Sequence, residues 1–195
     1  YIKEHNTPEI IDVVYGLDAD LIMLSMTIKK SQIYLLRESI EFGNMIDINE
    51  DGMPKFLYLD INTFKKALLD DLVENGLTIK DDYRVICDYI CLCFLLGNDF
   101  LPHILSLGIK TGGINILLEY YIEIQLKYKE ESKDTNQYLV NIDEHNNYSL
   151  NNHLFSQIIN KLSDSENELL TSFSKNLHRS RIRHKECKNA LEKEI

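Results

Sequence analysis

Val13-Val14-Tyr15-Gly16-Leu17-Asp18-Ala19-Asp20 is the stretch on which the fold turns. β-branched and aromatic residues from Ile10 onward make a run short enough for a buried strand. Asp20 then leads into Leu21-Ile22-Met23-Leu24-Ser25-Met26, which reads as a short helix with an acidic first turn. A strand that delivers acids into a helix is an α/β signature, and open α/β sheets place their sites at the carboxyl ends of strands. Two carboxylates in an Asp-x-Asp pair there offer hard oxygen ligands of the kind Mg²⁺ or Mn²⁺ takes. The plainer alternative is that Asp18 ends the strand and Asp20 caps the helix.

Further strands are expected at Gln32 to Arg37 and Phe56 to Asp60, with Asp51-Gly52-Met53-Pro54 as a turn between them. Asp60 and Asn62 read as the entry to a helix carrying Phe64, Leu68, Leu69, Leu72 and Val73. A second helix is expected from about Asp82 to Leu96, stopped by Gly97, and a third from Ile114 to Tyr128. Lys129 to Tyr138 reads as a loop, Tyr138 to Ile142 as a short strand, and Tyr148 onward as helix through Leu154, Ile158, Leu162 and Leu170. Lys175 to Lys188 is a local basic segment. This pattern divides the chain at 1–128 and 129–195.

Composition bounds the rest. The 195 residues are 44% hydrophobic, with 31 acids against 21 Lys and Arg and a formal net charge of -10. That is the profile of a folded globular chain, and an acidic surface of this size counts against nucleic acid as a partner unless the acids have another task. No apolar run approaches the roughly 20 residues of a membrane span, so no membrane partner is expected. Four cysteines without paired CxxC spacing fit a reducing intracellular compartment, nuclear or cytoplasmic alike. Cys87, Cys91 and Cys93 fall in the apolar helix and read as core; His184 and Cys187 have a zinc-like spacing without a second pair. The absence of GxSxG, GxxxxGK[ST] and GxGxxG disfavours serine hydrolases, P-loop NTPases and classical dinucleotide binders.

A third acid lies in Gly97-Asn98-Asp99-Phe100-Leu101-Pro102-His103, after the apolar helix, where a loop can face the first pair. Taken alone, Asp99 is equally a turn residue. Together, Tyr15 to Leu24 and Cys93 to His103 resemble the Xrn-type 5′→3′ exoribonucleases, relatives of the flap-endonuclease and PIN-like nucleases. The resemblance implies a PIN-like parallel sheet flanked by helices, followed by a mostly helical segment. It implies that Asp18, Asp20 and Asp99 are catalytic and metal-binding residues of a Mg²⁺ site, with two ions whose further ligands lie outside this chain. It also implies RNA with a 5′-monophosphate as substrate, and the preceding N-terminal half of the catalytic domain as partner. His103 is a weaker substrate-binding candidate, with an ordinary hydrogen-bonded histidine as the alternative. Gly112-Gly113 either starts a helix whose amides bind phosphate or is a plain loop. The chain, which opens without methionine, reads as the later part of that domain and as catalytically incomplete by itself.

Two other readings stand beside this one. A nuclease-like scaffold or RNA-binding module would use the same fold without chemistry. A haloacid-dehalogenase-like phosphatase also places DxD after a strand, but Ile22 stands where its motif wants Thr or Val.

Overall fold

The computed structural model describes residues 11–16, 18–29, 32–41, 45–46, 48–98, 101–102, 104, 106–108, 112–131 and 137–185. Strand β1 (Asp12–Tyr15) runs into helix α1 (Asp20–Met26), which returns the chain to β2 (Ile33–Glu38). The two strands are therefore parallel, with Val13 opposite Tyr34 and Tyr15 opposite Leu36. A small hairpin of β3 (Ile40–Glu41) and β4 (Met45–Ile46) follows, then β5 (Phe56–Asp60), antiparallel to β2 with Leu36 opposite Tyr58. The sheet order is β1-β2-β5. It is mixed rather than wholly parallel: among the described residues no helix crosses over between β2 and β5, and the connection that carries the β3–β4 hairpin returns the chain antiparallel.

Helix α2 (Ile61–Glu74) starts where Asp60 and Asn62 suggested: the Asp60 carboxylate accepts from the amides of Asn62 at 2.9 Å and Thr63 at 3.1 Å. Helix α3 (Asp82–Phe94) is capped likewise by Asp81, which accepts from the Arg84 amide at 3.2 Å. Met26, Ile33, Leu35, Ile61, Ile86 and Ile90 bury one face of the sheet beneath these helices. The opposite face is uncovered among the described residues. β1 was expected to be buried, yet Val13 and Tyr15 are 51% and 59% exposed, and Phe56 and Tyr58, on the same face of β5 beyond β2, are 46% and 66% exposed.

Helix α3 also belongs to a second core. Its Val85 and Leu92 pack with Leu117 and Tyr121 of α4 (Gly113–Glu131), with Leu139, and with Leu154, Ile158 and Leu162 of α5 (Asn152–Lys185). Two expectations fail in this half. Residues 129–131 are helical rather than loop, and Tyr148 begins a strand, not a helix: β7 (Tyr148–Leu150) pairs with β6 (Val140–Ile142). The reason is the turn between them. The Asp143 carboxylate collects the amides of His145 and Asn147, both at 2.8 Å, and Asn146 takes a left-handed φ of 60°. Asn151 then supplies the cap, its side chain accepting from the Leu154 amide at 3.2 Å.

The knot joining α3, α4 and β6 is polar. Asp88, fully buried, accepts from the Tyr121 hydroxyl at 2.7 Å and from the amides of Leu139 at 2.8 Å and Val140 at 2.7 Å. Burial pushes its carboxyl up to about 6, against the opposing pull of Tyr121, the two amides and Arg84. The cysteines of α3 are core groups: Cys87, Cys91 and Cys93 are free thiols, and burial pushes the latter two up to about 11. Cys187, and the side chains of the basic segment beyond Lys175, lie outside the described residues.

Candidate active site

The first wall of the site grows out of β1. Gly16 extends the ladder by donating its amide to the Leu36 carbonyl at 3.0 Å, and α1 then folds back against it so closely that a Cβ here would sit 2.3 Å from Leu21 Cδ1. Only a residue without a side chain permits this approach without displacing Leu21. The first turn of α1 closes on Asp18. Its carbonyl accepts from the Leu21 amide at 3.2 Å, and its Oδ1 accepts from the Asp20 amide at 3.1 Å. Asp18 is exposed and Asp20 half-buried. Asp20 is the first residue of the helix and Ala19 its N-cap, so the capping alternative for Asp20 does not hold.

The second wall comes from the end of α3. Gly97 takes a φ of 81°, the left-handed conformation that ends helices, and turns the chain back toward α1. Asn98 then closes a tight loop, its amide donating to the Leu101 carbonyl at 3.0 Å and its Oδ1 accepting from the Leu101 amide at 2.8 Å. Asp18 and Asp20 on one side and Gly97 and Asn98 on the other border one cleft of about 400 Å³, floored by Met23, Tyr89 and Ile114. Residues far apart in sequence, each singled out by its motif, thus meet. Asp99 and His103 lie outside the described residues. Among the described residues no group of three or more His, Cys, Asp or Glu is gathered closely enough to hold a metal ion.

Of the two readings of Gly112-Gly113, the helix start holds: Gly113 opens α4, but its amide is already taken by the Gly108 carbonyl at 2.9 Å and is not free for a phosphate. A Cβ on it would meet Leu96 Cδ2 at 3.0 Å and the Gly108 carbonyl oxygen at 3.1 Å. Gly113 is a packing residue that lets α4 press Ile114 against the cleft. Sequence reasoning did not single out Tyr89, which lines the cleft from α3. Burial, reinforced by Cys93, raises its phenol well above the ordinary range, so the ring borders the cleft as a neutral group.

Paired acids beyond a strand of a βαβ unit thus face a glycine-turned loop across a partly apolar cleft, at the carboxyl end of a strand where α/β folds place their sites. The chain belongs to the Xrn 5′-3′ exonuclease family: the family model described as "Xrn1 helical domain" matches residues 79–195, and the one described as "XRN 5'-3' exonuclease N-terminus" matches residues 1–39. Among curated relatives, a "5'-3' exoribonuclease 2" of Kluyveromyces lactis is 31% identical over 141 residues, covering 63% of this chain and 14% of that protein. The protein of the same name from Yarrowia lipolytica is 34% identical over 120 residues, covering 60% of this chain and 12% of the relative. A human "5'-3' exoribonuclease 1" is 33% identical over 127 residues, 63% of this chain and 7% of the relative. The chain therefore spans about a seventh or less of the length of these relatives.

Proposed function

We propose that the cleft is this chain's share of a 5′→3′ exoribonuclease centre, in which Asp18, Asp20 and Asp99 hold Mg²⁺, with Mn²⁺ as a substitute, for hydrolysis of 5′-monophosphorylated RNA. The observation that carries the reading is the single cleft bordered by both Asp18-x-Asp20 and Gly97-Asn98; Asp99 is the next residue in the chain. The donor set fits the metal, since two hard carboxylates stand at a helix start and, among the described residues, share one contact to a protein amide. Three acids, Asp99 included, are few for a pair of ions, so further ligands would come from elsewhere. Bound Mg²⁺ would neutralise phosphate charge and favour the hydroxide form of water. The chain's own part is positional. Asp18, steadied by the Asp20 amide, and Asp20, fixed in the first helical turn, hold their charges without rearrangement. Met23 and Ile114 keep the cleft floor apolar, which strengthens every charge interaction above it. His103, close to Asp99 in sequence, would contact the substrate phosphate.

The proposal includes a partner: the preceding half of the catalytic domain, seated on the bare face of the sheet. Val13, Tyr15, Phe56 and Tyr58 support it, because a contiguous apolar face of this kind is normally covered, and helices on both faces are what a PIN-like sheet requires. That half would supply the remaining metal ligands and most of the grip on RNA. Calorimetry on the protein in its native length tests the reading. Mg²⁺ binding should be present and lost on Asp18→Ala. Binding that Asp18→Ala leaves intact would remove Asp18 from the site, and no binding at all would favour a non-catalytic scaffold.

A further inference from the structure

A second hollow, of about 450 Å³, lies at the opposite ends of α1 and α3 from the Asp18–Asp20 cleft. Tyr83 in the first turn of α3 borders it, whereas Cys93 near the end of the same helix borders the cleft. The rise of an α-helix puts about 15 Å between those two positions. Among the described residues three lysines border the hollow, Lys29 after α1 and Lys65 and Lys66 in α2, with Asp82 as the one acid in its lining. Within a chain of net charge -10 this is a local excess of positive charge.

None of the three ammonium groups forms an ion pair with a described carboxylate. Lys65 is half-buried and donates to the Ile28 carbonyl at 2.8 Å. An ammonium has three donors, so that one bond leaves it short of partners, and burial accordingly lowers its pKa. Asn62 Nδ2, in the same lining, is buried with no partner among the described residues. The underused groups are thus donors, and buried donors are costly until an acceptor arrives. One wall is held firmly. Lys29 lies 4.1 Å from the centre of the Tyr83 ring, and the Tyr83 hydroxyl donates to the Thr27 carbonyl at 3.1 Å and bonds the Tyr148 hydroxyl at 2.7 Å. A tetrahedral anion with several acceptor oxygens is the ligand that answers this arrangement. The helix amides nearby do not compete for it, since Asp60 and Asp81 already cap α2 and α3.

We propose that this hollow is a second phosphate-binding site, formed by Lys29, Lys65, Lys66 and the Asn62 amide, that takes a backbone phosphate of single-stranded RNA outside the catalytic cleft. The RNA half of this statement rests on the exoribonuclease reading; the phosphate half does not.

Isotope-labelled chain, titrated by NMR in EDTA with inorganic phosphate and separately with a 5′-hydroxyl hexauridylate, tests both. Saturable shifts are expected at the Lys29 and Lys66 amides and the Asn62 side-chain amide, and they should be unchanged by Asp18→Ala. Lys29→Gln with Lys66→Gln, both at exposed positions whose loss spares the core, should abolish them. The same pair should lower the slope of log affinity for the oligonucleotide against log salt by about 0.7 for each phosphate charge no longer neutralised. Lys65→Gln should act alike once its fold is checked by circular dichroism. Shifts with the oligonucleotide, with or without inorganic phosphate, support the site. Shifts with phosphate alone overturn the RNA assignment, and no saturable shift, or shifts that persist in the double variant, overturn the site.

Discussion

Asp88→Ala should destabilise the fold by about 4 kcal/mol, because it removes one acceptor group that serves two buried donors and one part-buried one. The Tyr121 hydroxyl and the amides of Leu139 and Val140 all end on this carboxylate, at 2.7, 2.8 and 2.7 Å. Each buried donor left unsatisfied costs about 1–3 kcal/mol, and removing one partner from a buried charged network costs about 3–5 kcal/mol. Tyr121→Phe takes away a single bond to the charge and should cost about 1.5–3 kcal/mol. The double variant should fall short of the sum by about that amount, since the deleted bond is shared. The pH dependence carries its own sign. Burial holds the folded carboxyl at about 6, above the ordinary 3.8, so the folded state binds the proton more readily. The stability this contributes is complete below about pH 4 and declines as pH rises through about 6. Asp88→Ala lacks that decline, so its deficit relative to wild type should be widest near pH 4. Urea unfolding followed by circular dichroism at several pH values measures all of this. A deficit below 1 kcal/mol at pH 7.5, or one that narrows on acidification, would rule out this role for Asp88.

Asp60→Ala removes the acceptor for two amides at the start of α2 and should cost about 1 kcal/mol in the same assay. The Asp60 carboxyl is held below its ordinary value chiefly by the Thr63 amide, so this contribution is present at neutral pH and is lost on acidification through the folded pKa. Gly113→Ala forces a methyl against Leu96 and the backbone of residues 107–108, contacts of 3.0 to 3.2 Å. Overpacking of this kind should cost about 1–3 kcal/mol, and NMR shifts should spread from Leu96 to Gly97 and Asn98 at the cleft; a shift pattern confined to α4 would count against the packing role.

Much of the cleft was legible because each of its walls is written locally. The strand-to-acid transition at Val13 to Asp20, the Asp60 cap and the Gly97 stop are all short-range devices, and the structure uses each at its expected place. What stayed hidden depends on tertiary partners. Tyr148–Leu150 carries apolar residues that fit a helix start, and only pairing with Val140–Ile142 makes them a strand. The antiparallel return of β5 follows from a connection, not from any pattern inside the strand. Val13 and Tyr15 read as buried because apolar residues imply burial somewhere, yet nothing described in this chain covers them. Asp88 left one visible trace, an acid in the middle of an apolar helix. Lys29, Lys65 and Lys66 left none, since the 36 positions that separate the first two are bridged only in the fold.

The decisive measurement is the rate at which the protein, in its native length, degrades 5′-monophosphorylated RNA in Mg²⁺, compared with Asp18→Asn and Asp20→Asn. Both substitutions keep the shape of the side chain and remove its charge. If the two acids hold the metal, each variant lowers the rate by at least about 100-fold, on the scale of removing one charge-stabilising interaction from a transition state, while the thermal midpoint stays close to wild type. Degradation at an undiminished rate in both variants would contradict a metal-holding role for this pair.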